Sequence, residues 1–181
     1  MPAVDRAPAG LLVRSSAFGL DYIDIAAYLA VLVASGVVAS QAAPSAVGLL
    51  FGGPLSGQAS GFLLITLPVA LYFAISEASG RRSTWGKRRM GLLVTDLSGG
   101  RISLARSFGR TTAKFIPWEL AHLCIWQISF APDQSSPLYV IGFTLVWIAV
   151  GANIVSLWLS PSSQTIYDRV AGTRVVHGSV P

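Results

Sequence analysis

Hydrophobic residues gather into four runs along the chain: Phe18 to Ala39, about Ala59 to Ser79, about Phe115 to Phe130, and Leu138 to Leu159. A helix rises 1.5 Å per residue, so about 20 apolar residues cross the roughly 30 Å hydrocarbon layer of a bilayer. The pattern therefore predicts four transmembrane helices, of which the last is the cleanest. The second run contains Pro68, which removes one helical donor and predicts a kink. A membrane helix tolerates that when a neighbouring group satisfies the freed carbonyl. The third run is the shortest and carries Pro117, Glu119 and His122; it is expected to begin in the interface and tilt inward.

Between the second and third runs the pattern changes. Within residues 80–114, "MGLLVTDLSGGRISL" predicts strand, glycine-containing turn at Ser98 to Gly100, and second strand, a small hairpin. The following "SLARSFGRTTAKFI" predicts a helix with Ser103 as N-cap. Arg106, Arg110 and Lys114 recur there every four residues and share one face. This amphipathic helix is expected to lie on anionic lipid headgroups, where each cation contributes about 1 kcal/mol; the alternative is contact with a partner or an anionic ligand.

Composition strengthens the membrane reading. Apolar residues make up 52% of the 181, charged residues only 12%, against roughly 25% charged in soluble domains. Mean hydropathy is +0.61. The net charge of +5 would suit nucleic acid only if the cations lay on a solvated face with base-reading groups. Instead they flank the apolar runs: Arg6 and Arg14 precede the first, nine lie in residues 80–114, and Arg169 and Arg174 follow the fourth. Cations stay on the cytoplasmic side of a membrane. Four crossings with both termini cytoplasmic place all thirteen there, and the opposite loops, 40–58 and 131–137, hold one charge, Asp133. The reading is thus an all-α cell-membrane protein, a four-helix bundle forming one domain over 1–181, with a basic cytoplasmic loop and a tail from residue 160. The first run is too long for the short apolar core of a cleavable leader and reads as retained. Cys124, the lone cysteine, is expected to pack rather than to bridge or bind metal.

Candidate chemistry gathers at the start of the first helix. Arg14 and Asp21, seven residues apart, lie on one stripe with Ala17 between them and Asp24 on its continuation. An aspartate at the centre of a spanning helix costs about 2.5–3.5 kcal/mol; nearer the end it costs less, but it must face protein or water. One reading is a structural pair of Arg14 with Asp21 that fixes helix depth and packing; the other is a proton or cation site. Glu119 and His122 share a face and form a candidate relay or packing pair. No second such pair exists to complete a metal site, and no catalytic triad, metal motif or phosphate loop is present. Neither enzyme activity nor a cofactor is expected. Glu77 is expected to meet water at the end of the second helix, and Asn153 to bond between helices.

Arg14, Ala17 and Asp21 reproduce the R-x-x-A-x-x-x-D opening of the RDD family of small membrane proteins, named for one arginine and two aspartates. "TWGKRRMGLLVTD", the "GR" of Gly109 and Arg110, and "YDRVAGTRVV" are similar to further stretches of that family, so the resemblance covers nearly the whole chain. It implies that Asp21 is the first aspartate and Asp168 the second, with Asp24 an addition; all three stay candidates. It also implies a role in transport, in some members resembling sodium/proton antiport. The expected function is a cation or proton exchanger using Asp21 and Asp24, tuned by Arg14, with Glu119 and His122 as relay. The alternative is an accessory subunit that docks another membrane protein. Four helices make a tight bundle, so a homo-oligomer or a membrane-protein partner is expected. "DRVAGT" returns to the face where Arg14 emerges, which predicts that the tail packs under the first helix and that Arg14 bridges to Asp168 or Asp21.

Overall fold

The computed structural model describes residues 6–130 and 137–178. The first apolar run folds as α1, Leu11–Ala42, which starts directly after Gly10 in an extended conformation. Arg14 and Asp21 therefore lie inside the helix rather than ahead of it. The stretch that follows holds the short α2, Pro44–Phe51, with proline at its first turn, where a missing N–H costs nothing.

The second run forms one continuous rod: α3, Pro54–Gly61, a π-helical turn over Phe62–Thr66, and α4, Leu67–Ala78. The π turn sits immediately before Pro68, where the ring displaces the carbonyl of Leu64 from its usual partner. That carbonyl accepts the Tyr28 hydroxyl of α1 at 2.5 Å, so a neighbouring helix satisfies what the proline frees.

After α4 the chain forms α5, Trp85–Arg89, and strand β1, Leu92–Asp96. The long helix α6, Leu104–Phe130, follows, then α7, Pro137–Leu159, the short α8, Ile166–Val170, and strand β2, Thr173–His177. The predicted hairpin is corrected. The turn exists, held by Asp96, which accepts from Ser98 N at 2.9 Å and Gly100 N at 2.7 Å. However, residues 101–103 lead into α6, and β1 pairs antiparallel with β2 of the tail, Val94 opposite Val175. The tail strand wins because it buries Val175 and Val176, and Ala9 N adds the N-terminal segment to its other edge, donating to Val175 O at 2.9 Å. Ala9, Ala17, Leu92, Val94, Ile102 and Val175 form a small core there. The segments carrying the basic residues thus converge on one end of the bundle, hereafter the basic end.

The separate amphipathic helix and third span are likewise corrected to the single helix α6, in which Pro117 is internal. It packs between α4 and α7. Gly142 of α7 leaves the space that the Cys124 sulfur fills. Among the described residues, three helical stretches are long and apolar enough to cross a membrane: α1, the Pro54–Ala78 rod and α7. Their outward faces carry apolar side chains such as Val31, Val33 and Trp147, as lipid-facing helices do. The expected loop with Asp133 falls largely on residues 131–136, outside the described residues.

Candidate functional site

Three positions on one stripe of α1, Arg14, Ala17 and Asp21, lie at the basic end. Arg14 donates from Nη2 to Asp168 Oδ2 at 2.7 Å and from Nη1 to the Ser163 carbonyl at 2.9 Å. Of the two expected partners the tail aspartate is therefore the one engaged, and α8 is drawn under α1. Asp168 is positioned by a capping box: it accepts from Thr165 N, while Thr165 Oγ1 accepts from Asp168 N, both at 3.2 Å. Arg110 reaches the other carboxylate oxygen, Nε to Oδ1 at 2.8 Å, and also binds Glu77. Lys87 binds the remaining oxygen of Glu77. The result is an alternating chain, Arg14–Asp168–Arg110–Glu77–Lys87, whose two carboxylates are wholly buried. Burial alone would favour the neutral acid at Asp168, but the Arg110 and Arg14 guanidinium groups outweigh it and hold the carboxyl well below the usual aspartate range.

Asp21 does something different. It accepts three hydrogen bonds from groups without charge: the Tyr72 hydroxyl at 2.9 Å, Thr84 Oγ1 at 2.6 Å and Gly86 N at 2.7 Å. It thereby docks the start of α5 onto α1. Gly86 comes so near that any Cβ there would overlap the Ala17 carbonyl oxygen and crowd Asp21. The spacing of Arg14, Ala17 and Asp21 now has a physical meaning. Arginine reaches the tail, the small residue admits α5, and aspartate fastens it.

Several expectations change. Asp24 is exposed and stands outside the cluster. Glu77 does not meet water; it is fully buried between two cations. Arg110 does not lie on headgroups, being buried in the ion-pair chain. Lys114 is turned inward too, its ammonium 3.4 Å above the Phe73 ring centre. Only Arg106 of that predicted stripe stays exposed. Glu119 accepts from Gln58 Nε2 at 2.9 Å and from Thr66, with His122 Nδ1 3.4 Å away. This polar contact ties α3 and the π turn to α6, roughly 13 Å along α6 from Arg110 at 1.5 Å per residue. Asn153 donates to Ala149 O within its own helix rather than across helices. No group of three or more potential metal ligands occurs among the described residues.

Tyr72, Glu77, Thr84, Gly86 and Lys87 belong to the site without having been singled out for it. Glu77 carried a usable signal, an ionisable residue one turn inside an apolar run, which must find a partner. Gly86 and Thr84 carried none on their own, since their role is set by what lies across from them.

A cavity of about 530 Å³ opens between α1, α6 and α7 beside this network. Arg14, Asp21, Lys87, Arg110 and Lys114 line its basic end, and Trp118, Val146 and Val150 line it further along the helices. Four cations thus face three carboxylates, counting Glu77 and Asp168 behind them. Among the described residues Lys114 has no ion-pair partner.

Long apolar helices joined by a buried chain of alternating charges, with both terminal segments folded against the intervening loop, define a small helical membrane protein closed at one end by ion pairs. The chain belongs to the RDD family, whose model matches residues 8–172. No curated protein and no solved structure is significantly similar to it.

Proposed function

We propose that this is a four-span membrane protein with both termini cytoplasmic, and that the cavity at its basic end is the solute site of a proton-linked transporter. The topology is supported by the convergence of cation-bearing segments on one end, where positive charge favours the cytoplasmic side. It is also supported by α6, whose 27 residues reach about 40 Å at 1.5 Å per residue and lie between α4 and α7. In this reading the apolar half of α6, from Phe115 onward, crosses with the other three.

One observation carries the functional reading: Asp21 and Lys114 line the same cavity, and among the described residues neither has an opposite charge bonded to it. Glu77 and Asp168 each sit between two cations, so protonating either would dismantle an ion pair. Asp21 is held only by the uncharged donors Tyr72, Thr84 and Gly86, so a change of charge there would break no ion pair. An exchangeable group that leaves its surroundings intact is what proton linkage requires. The surplus of cations disfavours a metal ion as the solute and assigns the carboxylate to the proton.

The test is proton flux in vesicles containing the purified protein under an imposed pH gradient. Asp21→Asn should lower flux at least about tenfold while Asp21→Glu retains part of it, with melting temperature measured alongside to separate loss of function from loss of fold. Wild-type vesicles no leakier than empty ones, or unchanged flux in a folded Asp21→Asn variant, would remove the proposal.

A further inference from the structure

We infer that the cavity binds a membrane lipid with an anionic head group, the head on Lys114 and one acyl chain along the apolar walls toward Val146. The inference rests on the reading of this cavity as the solute site and names the chemical class of that solute.

Lys114 is the centre of the argument. Its ammonium carries three donors, yet its neighbours are ring faces: Phe73 at 3.4 Å, Phe18 at 5.1 Å and Phe115 at 5.7 Å from the ring centres. Rings attract a cation but accept no ordinary hydrogen bond from it. Among the described residues no carboxylate pairs with it. Arg14, Lys87 and Arg110, by contrast, each bind Glu77 or Asp168. Burial pulls the Lys114 ammonium toward its neutral form, and one negative charge beside it would offset that without competing for an existing pair.

The shape of the cavity indicates what carries that charge. From Lys114 to Ala121 the α6 wall continues about 10 Å, and from Leu157 back to Val146 the α7 wall continues about 16 Å, at 1.5 Å per residue. Apart from Asn153 these walls are apolar and run toward the bilayer interior. A soluble anion would fill only the charged end and leave the remainder as apolar surface facing empty space, whereas a lipid fills both. Asn153 is the one polar side chain along these walls. Its amide nitrogen is committed to Ala149 O at 2.9 Å, while its buried oxygen has no partner among the described residues.

The experiment is native mass spectrometry of the full chain in detergent, titrated with phosphatidylglycerol or phosphatidylcholine of identical chains, with glycerol phosphate as competitor. The expected result is a preference for phosphatidylglycerol of about tenfold, the scale of a charge-assisted hydrogen bond in a dry site. Lys114→Gln should abolish the preference and Lys114→Arg should keep it. Arg81→Gln, which removes an exposed cation outside the cavity, should not change it. Equal binding of the two lipids by wild-type protein, an undiminished preference in Lys114→Gln, or displacement by glycerol phosphate would each overturn the inference. The wild-type comparison needs no variant to fold. The lipid readout is also separate from flux: Asp21-dependent flux without lipid preference sinks this inference alone, and lipid preference without flux sinks the transport reading alone.

Discussion

Replacing Asp168 with asparagine removes one negative charge from a fully buried position and leaves the shape nearly unchanged. The carboxylate is fully buried, receives Arg14 Nη2 at 2.7 Å and Arg110 Nε at 2.8 Å, and caps α8 through Thr165 N. Breaking a buried pair from one side strands the partner charge and costs about 3–5 kcal/mol. Arg110 keeps Glu77 and Arg14 keeps the Ser163 carbonyl, so the lower end of that range applies. About 3 kcal/mol corresponds to a fall in melting temperature of about 6–12 °C for a chain of this size. Thermal unfolding of the purified protein in detergent measures it, and the cycle of Arg14→Gln, Asp168→Asn and the double variant isolates the pair. Coupling of about 1–3 kcal/mol is expected for two residues in direct contact.

The same carboxylate sets a pH signature. Its folded-state pKa lies below the unfolded value near 4, so its stabilisation is fully present above about pH 4 and is lost as the pH falls through the depressed folded value. Asp168→Asn should erase that part of the acid sensitivity and leave the pH 5–8 range flat for this group. A variant melting within about 2 °C of wild type, with no coupling to Arg14, would refute the picture of a charge chain that closes the basic end.

Two smaller perturbations probe the packing around the site. Gly86→Ala pushes a methyl group into the Ala17 carbonyl and Asp21 and should cost about 1–3 kcal/mol as an overpacked contact. Gly109→Ala, where nothing lies within 4 Å of the added carbon, is the comparison, and equal melting temperatures for the two would count against the α1–α5 contact. Tyr28→Phe strands the Leu64 carbonyl that Pro68 frees and should lower stability to denaturation in mixed micelles by about 1 kcal/mol; restored stability in Tyr28→Phe/Pro68→Ala is expected, because the helix then makes its own bond.

The membrane class, three of the long helical segments and the approach of the tail to Arg14 were legible in the order of residues, because each depends on local quantities. Apolar length decides whether a helix can span, and the distribution of cations decides which segments share a side. Sequence spacing also put Arg14, Ala17 and Asp21 on one stripe, since helical periodicity is local. It could not say what each faces. Asp21 and Asp24 are three residues apart and chemically identical, yet one is enclosed by Tyr72, Thr84 and Gly86 and the other is exposed. That difference arises from where α4 and α5 lie. The same holds for Arg110 and Arg106, one turn apart on α6: only the first is opposite Glu77 and Asp168. The strand partner of β1 was settled in the same way, by the apolar surface that residues 173–177 bury and a hairpin arm at 101–104 would not. Periodicity along one chain fixes the direction of a side chain relative to its own helix. Its partner, and with it whether a charge is paired or left for a ligand, is fixed by contacts between residues 33 to 154 positions apart.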